Sequence, residues 1–314
     1  MYIYPDIVEG FHCELCGTCC RNDWQVTLDE ASYERNRQYF SRVNNLQEME
    51  QAFVVMTHNQ AIGEYAYIRK QESGACWFLS GNNLCRLHKK AGHQHLDAVC
   101  QTFPRYPMNT QRGIEVTLSF SCPAVLRRIQ RLEPLRIVRS EKPPVEFLPE
   151  NYVASVFPGQ QAKFTPLYYY FELEHHFIDI VQCRGLSIAG RLELLEKTVR
   201  KLEAGKPGET FGQWLQQQIY QNYAYMDSLT EQNLSLAEVL VEHFFVNFLF
   251  KKPLYLYGLI PAVALLVHMW QEIETMQRGK GEKDRISATQ AAINNLELEY
   301  GHDRQRLLVW MAKR

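Results

Sequence analysis

Cysteine is the residue type with the clearest chemical message in this sequence: of nine, eight lie between Cys13 and Cys122, and the rest of the chain holds only Cys183. The first four form the run Cys13-Glu-Leu-Cys16-Gly-Thr-Cys19-Cys20, a C-x2-C-x2-C-C spacing. Two thiolates separated by two residues can turn onto one ion when the backbone makes a tight knuckle, and Gly17 relieves the steric conflict at such a bend. Adjacent Cys19 and Cys20 diverge, because consecutive side chains point apart; one of them serves a second site or packs as a thiol. Farther on, Cys76 and Cys85 flank Ser80-Gly81-Asn82-Asn83, which has turn chemistry. Cys100 stands ahead of Phe103-Pro104-Arg105-Tyr106-Pro107 and Cys122 directly ahead of Pro123, so proline restricts the chain after both thiols.

Such sulfur sets favour zinc, iron–sulfur clusters or cuprous copper over hard cations, and eight sulfurs suffice for two four-coordinate centres. The competing readings are disulfides, redox thiols, or small buried hydrophobes, the last being the usual fate of a lone thiol such as Cys183. His12, His88, His93 and His95 lie nearby and offer nitrogen ligands. With so many sulfurs available they are expected at the surface or in support of the ligands, His88 being the foremost candidate among them.

Composition narrows the setting. The opening MYIYPDIVEGFH has no basic, apolar and small-residue series of the secretory kind. The expected location is therefore the reducing cytoplasm, where grouped cysteines bind metal more often than they bridge. The 34 basic and 35 acidic side chains leave a net charge of −1, so no overall field draws the chain to nucleic acid or to anionic lipid, and neither is an expected partner. With 46% apolar and 22% charged residues, the chain is globular rather than disordered.

The elements that must hold these thiols are short. Thr27 and Glu30 make a capping box that predicts a helix from about Leu28, after a short strand beginning near Gln25. Strands are expected over residues 65–69 and 114–120, the second alternating Ile114, Val116, Leu118 and Phe120 against Glu115, Thr117 and Ser119, so that one face is buried. A short basic helix follows over 125–132. Residues 1–132 thus read as a loop-rich cysteine domain, and 133–165, interrupted by prolines, as a linker or packing arm. From Pro166 the pattern turns helical: Ile188, Leu192, Leu195, Val199 and Leu202 recur at helical spacing before Gly205. Ser235 and Glu238 form a second capping box, and helices are expected over 255–276 and 287–311. Residues 166–314 therefore read as an all-helical domain, and the fold class as mostly α with a few short strands. Residues 254–270 are apolar but short for a bilayer and contain Pro261 and His268, so a core helix is expected there.

The order of elements resembles a known family. The run Cys13 to Cys20 followed by Trp24, then C-W-F-L from Cys76 with a turn to L-C-R-L-H-K-K, then C-x-T-F-P-R-Y-P from Cys100, then S-F-S-C-P at Cys122, is similar to the flagellin lysine N-methylases. These belong to a broader group of cysteine-cluster proteins thought to chelate zinc or iron. The segment VEHFFVNFLFKKPLY, Val241 to Tyr255, is similar to a stretch of that family's C-terminal half. The resemblance implies methylation of lysine side chains on a protein, flagellin or another with accessible lysines. It implies S-adenosylmethionine as donor and an iron–sulfur cluster, 4Fe–4S in form, or zinc. It maps Cys13, Cys16, Cys19, Cys20, Cys76, Cys85, Cys100 and Cys122 as metal ligands, and transfers no catalytic base.

Lysine must lose a proton before its nitrogen attacks a methyl group, which calls for a desolvating pocket and an acceptor. Tyr168-Tyr169-Tyr170-Phe171-Glu172-Leu173-Glu174-His175-His176 offers aromatic faces and acceptors, or else an aromatic packing face. No G-x-G-x-x-G follows a strand, and the C-x3-C-x2-C spacing of radical S-adenosylmethionine enzymes is absent from the first cysteine run. The alternative function is a non-catalytic zinc- or iron-binding module for metal handling or protein docking.

Overall fold

A computed structural model describes residues 1–57, 63–145, 152–205 and 208–312. The chain opens with β1 (Tyr2–Pro5) and β2 (Thr27–Leu28), followed by α1 (Glu30–Arg42), α2 (Leu46–Ala52), β3 (Phe53–Val55) and β4 (Ala66–Ile68). Strands β2, β4 and β3 make a small antiparallel sheet. It packs with α1 and α2 around Leu28, Phe40, Met49, Phe53 and Phe78. The helix expected from Leu28 begins later. Thr27 pairs with Tyr67 in the β2–β4 ladder, so its backbone is committed to a strand. Asp29 becomes the cap instead, accepting from the Ser32 amide at 2.6 Å.

Two short helices, α3 (Arg86–Ala91) and α4 (Ala98–Thr102), lead into the hairpin β5 (Arg105–Thr110) and β6 (Gly113–Leu118), then α5 (Pro123–Arg128). Gly113 sits at φ 127° with the Met1 carbonyl where a Cβ would stand, so only glycine lets β1 close on the hairpin. Strands β7 (Ile137–Ser140) and β8 (Ala154–Val156) complete a five-stranded mixed sheet in the order β7-β1-β6-β5-β8. Part of the proline-rich stretch 133–165 thus forms both edges of this sheet. The expectation of a single buried face on residues 114–120 is corrected: Val116, Leu118 and Phe120 are buried, and so are Glu115, Thr117 and Ser119. The polar set is covered because each member finds a buried polar partner: Glu115 meets Lys252, Thr117 meets Asn247, and Ser119 meets Glu297.

The remainder is helical: α6 (Tyr170–Val181), α7 (Ile188–Glu203), α8 (Phe211–Asp227), α9 (Leu236–Phe250), α10 (Pro253–Tyr257), α11 (Leu259–Gln277), α12 (Glu282–Leu296) and α13 (Arg304–Ala312). The five residues expected along α7 are all buried, and Ser235 with Glu238 forms the expected box at α9. The helix expected over 255–276 is broken at Gly258, whose φ of 92° lies in the left-handed region. The one expected over 287–311 starts earlier and is interrupted by a π-helical turn, Glu297–His302. Among the described residues no helix is long and apolar enough to cross a membrane. A continuous apolar core runs from Tyr4, Val116 and Phe120 of the sheet into Phe177, Leu195, Phe244, Leu266 and Ile293 of the helices. The fold is mostly α with short strands, as read from the sequence.

Candidate metal centre

The first cysteine run bends twice into left-handed backbone, at Leu15 (φ 54°) and Gly17 (φ 69°). A Cβ on Gly17 would meet Arg21 Nη1 at 2.9 Å and Asn83 Cβ at 3.2 Å, so the glycine allows the claw to close against the turn between Cys76 and Cys85. Two further contacts lace these segments together. The Cys76 amide donates to the Cys20 carbonyl at 2.7 Å, and Arg21 donates to the Asn83 side chain. Cys85 stands at the N-cap of α3, where its Sγ accepts from the His88 amide at 3.5 Å. Cys100 lies on α4, whose N-cap Asp97 accepts from the Val99 amide at 3.0 Å. Cys122 precedes α5, with Pro123 at the first helical position.

These segments enclose one cavity of about 400 Å³, and all eight predicted cysteines line it: Cys13, Cys16, Cys19, Cys20, Cys76, Cys85, Cys100 and Cys122. Cys183 lies elsewhere, and none of the nine is in a disulfide. Of the four nearby histidines, His88 lines the cavity while His12, His93 and His95 do not. His95 is buried, its ring tilted against that of Tyr39 with centroids 5.0 Å apart. The rest of the lining is largely apolar, including Trp24, Ile68, Phe78, Leu96 and Phe103, together with Asn22, Lys70 and Asp97.

The electrostatics suit a site that binds cations through protonatable sulfur. Burial pushes the thiols of Cys13, Cys76, Cys85 and Cys122 up, and that of Cys100 well up, since it opens onto the cavity yet is surrounded by protein. Cys19 and Cys20 do not diverge as expected: both line this cavity with their sulfurs 3.9 Å apart, and Cys19 goes the other way, to about 7, because the neighbouring Cys20 thiol supports the thiolate; Cys20 is correspondingly raised. The donor set fits a soft metal: eight free sulfurs on one cavity wall. Their spacing does not form a finished single-ion shell, since among the described residues no three His, Cys, Asp or Glu side chains converge closely enough to hold one ion.

Sequence reasoning passed over Asp97 and Asn22, which also face this space. Asp97 carried a signal, a helix-capping residue type just ahead of the Cys100 segment; Asn22 carried none. The stretch 168–176 does not reach the cavity. Tyr170, Glu174 and His176 are buried among the helices, with Tyr170 donating to Glu174 at 3.2 Å, so this stretch is a packing face.

Residues 12–123 match the family CxxCxxCC, described as a "putative zinc- or iron-chelating domain". This part of the chain is similar to that zinc- or iron-chelating family. Its boundaries enclose all eight cavity cysteines. The chain is also 27% identical over 162 residues to proteins named lysine-N-methylase from Salmonella typhimurium and Salmonella choleraesuis, a match covering 50% of this chain and 38% of each relative. It is 26% identical over 127 residues to a flagellar biosynthetic protein, FliU, of Salmonella muenchen, covering 40% of this chain and 74% of that protein. The resemblance read from the motifs is borne out as sequence similarity, although the match spans well under half the length of the lysine-N-methylases. No solved structure matches.

Proposed function

We propose that the chain transfers methyl groups from S-adenosylmethionine to lysine side chains of a protein substrate in the cytoplasm. In this reading its CxxCxxCC domain holds an iron–sulfur cluster, 4Fe–4S in form, or zinc. The observation that carries the metal reading is the arrival of sulfurs from four separate stretches of sequence at one cavity wall. Similarity to two proteins named lysine-N-methylase supports the activity, and similarity to a flagellar biosynthetic protein supports flagellin as a substrate to try first.

A soft metal bound by these cysteines would supply electrophilic or redox chemistry. The chain's own residues supply the rest. The apolar walls around Phe78 and Phe103 can take the methylene stem of a lysine and favour its neutral amine, because desolvation disfavours the ammonium. Asp97 stands on the same wall with its carboxyl pushed up to about 6 by burial, a suitable acceptor for a proton near neutrality.

The test is purification of the full chain without oxygen, followed by metal analysis and a visible absorption spectrum, which separates coloured iron–sulfur from colourless zinc. The metal-loaded protein is then offered labelled S-adenosylmethionine and a co-expressed flagellin. Label on lysine supports the proposal. Metal held tightly, with neither donor binding by calorimetry nor labelled lysine, overturns the methyltransferase reading in favour of a metal-handling or docking module.

A further inference from the structure

We infer that Lys89 anchors the carboxylate of S-adenosylmethionine at the cysteine cavity. The inference rests on the methyltransferase reading and adds to it the place of the donor's amino-acid end.

Lys89 belongs to α3, whose N-cap is Cys85, and its amide donates to the Cys85 carbonyl at 3.0 Å. Residues four apart share a helix face, so the lysine rises one turn beyond that thiol, and both side chains line the cavity. Lys89 is also exposed, which sets it at the mouth. Four Asp, Glu and Lys side chains line this wall, and the other three are engaged. Glu14 pairs with Arg127. Lys70 pairs with Asp23 at 3.2 Å and donates to the Asn22 carbonyl at 2.7 Å. Asp97 caps α4 through the Val99 amide at 3.0 Å. Among the described residues Lys89 has no ion pair and no side-chain hydrogen bond. A second polar group on the wall is also unspent: Asn22 Nδ2 is buried without a hydrogen-bond partner. Trp24 and Phe103 stand on the same wall, edge to face with centroids 5.3 Å apart.

A ligand that satisfies all three features carries an anion for the ammonium, an acceptor atom for the buried amide, and a cationic or planar part for the rings. S-adenosylmethionine has each: a carboxylate, purine nitrogens, and a sulfonium joined to adenine. A cavity of about 400 Å³ lies within the range that takes small organic ligands. Charge also separates the two ends of the donor. Four thiolates around one divalent ion leave a net charge of about −2, which attracts a sulfonium and repels a carboxylate. The carboxylate is therefore held where the one unspent cation stands, at the mouth.

The test is calorimetric binding of two ligands to the full chain purified without oxygen: S-adenosylmethionine, and its decarboxylated analogue, which keeps the sulfonium, the adenosine and the amine. The variants are Lys89→Met and Lys89→Arg, with metal content per chain and thermal midpoint expected to match the parent, since the residue is exposed. The parent should prefer S-adenosylmethionine by about tenfold or more, the worth of a charge-assisted hydrogen bond. K89M should lose that preference by weakening S-adenosylmethionine alone, and K89R should restore most of it. A parent that binds both ligands equally overturns the inference. So does a K89M that binds S-adenosylmethionine as tightly as the parent, or one that weakens both ligands alike. A parent that binds neither ligand strikes the methyltransferase reading, and the inference with it, a failure seen before any variant is made.

Discussion

His176 shows how one side chain can make stability depend on pH. It is 1% exposed on α6; its Nε2 accepts from the Asn222 amide at 3.0 Å, while its Nδ1 has no partner. Protonation would break the one bond and bury a charge, and desolvation accordingly lowers its pKa to about 4. Because the folded-state value lies below the unfolded one, the unfolded chain takes up the extra proton first as pH falls. This contribution is complete above about 6.5 and is lost between there and about 4, roughly 3 kcal/mol in all. Urea unfolding across that window should show the slope in the parent, and His176→Gln should lose most of it. None of this was legible beforehand, since a His-His pair in a helical pattern does not say which ring turns inward. Gly17 is the opposite case: its place inside the cysteine run already marked a bend, and both its φ of 69° and the approach of Asn83 bear that out.

At the level of elements, the two capping boxes had equal sequence signals and different outcomes. Ser235 and Glu238 bond reciprocally at α9, whereas Thr27 is held in the β2–β4 ladder and Asp29 caps α1. Ser235→Ala and Asp29→Ala should each lower stability by about 1 kcal/mol in denaturant titrations, and Thr27→Ala should not unwind α1. A local motif is readable when nothing distant claims its backbone. The π-helical turn Glu297–His302 was hidden for the same reason. It brings His302 within 2.8 Å of Ser119 and against the ring of Trp24, centroids 4.9 Å apart, partners far away in the chain.

The whole molecule is tied by charges that no local pattern announces. Lys252, fully buried at φ 70°, reaches Glu115 at 2.6 Å and Glu174 at 2.5 Å, and Arg112 joins the same two carboxylates. One network thereby connects the β5–β6 hairpin, α6 and the α9–α10 junction. Lys252→Met would strand a carboxylate charge in the dry interior, and the expected cost is about 3–5 kcal/mol in urea unfolding. A loss under about 1 kcal/mol would mean that water or Arg112 compensates.

Neighbouring residues alone pointed to the class of chemistry and the class of fold. Thiol spacing, glycine and proline positions and helical periodicity are local properties, written in neighbouring residues. Long-range packing is what turns sulfurs from residues 13 to 122 toward one space and buries the polar face of residues 114–120 with its partners. Each of these depends on which distant segments pack together, and that choice is made by the total burial of apolar surface and the pairing of buried charge, quantities that belong to the folded chain as a whole.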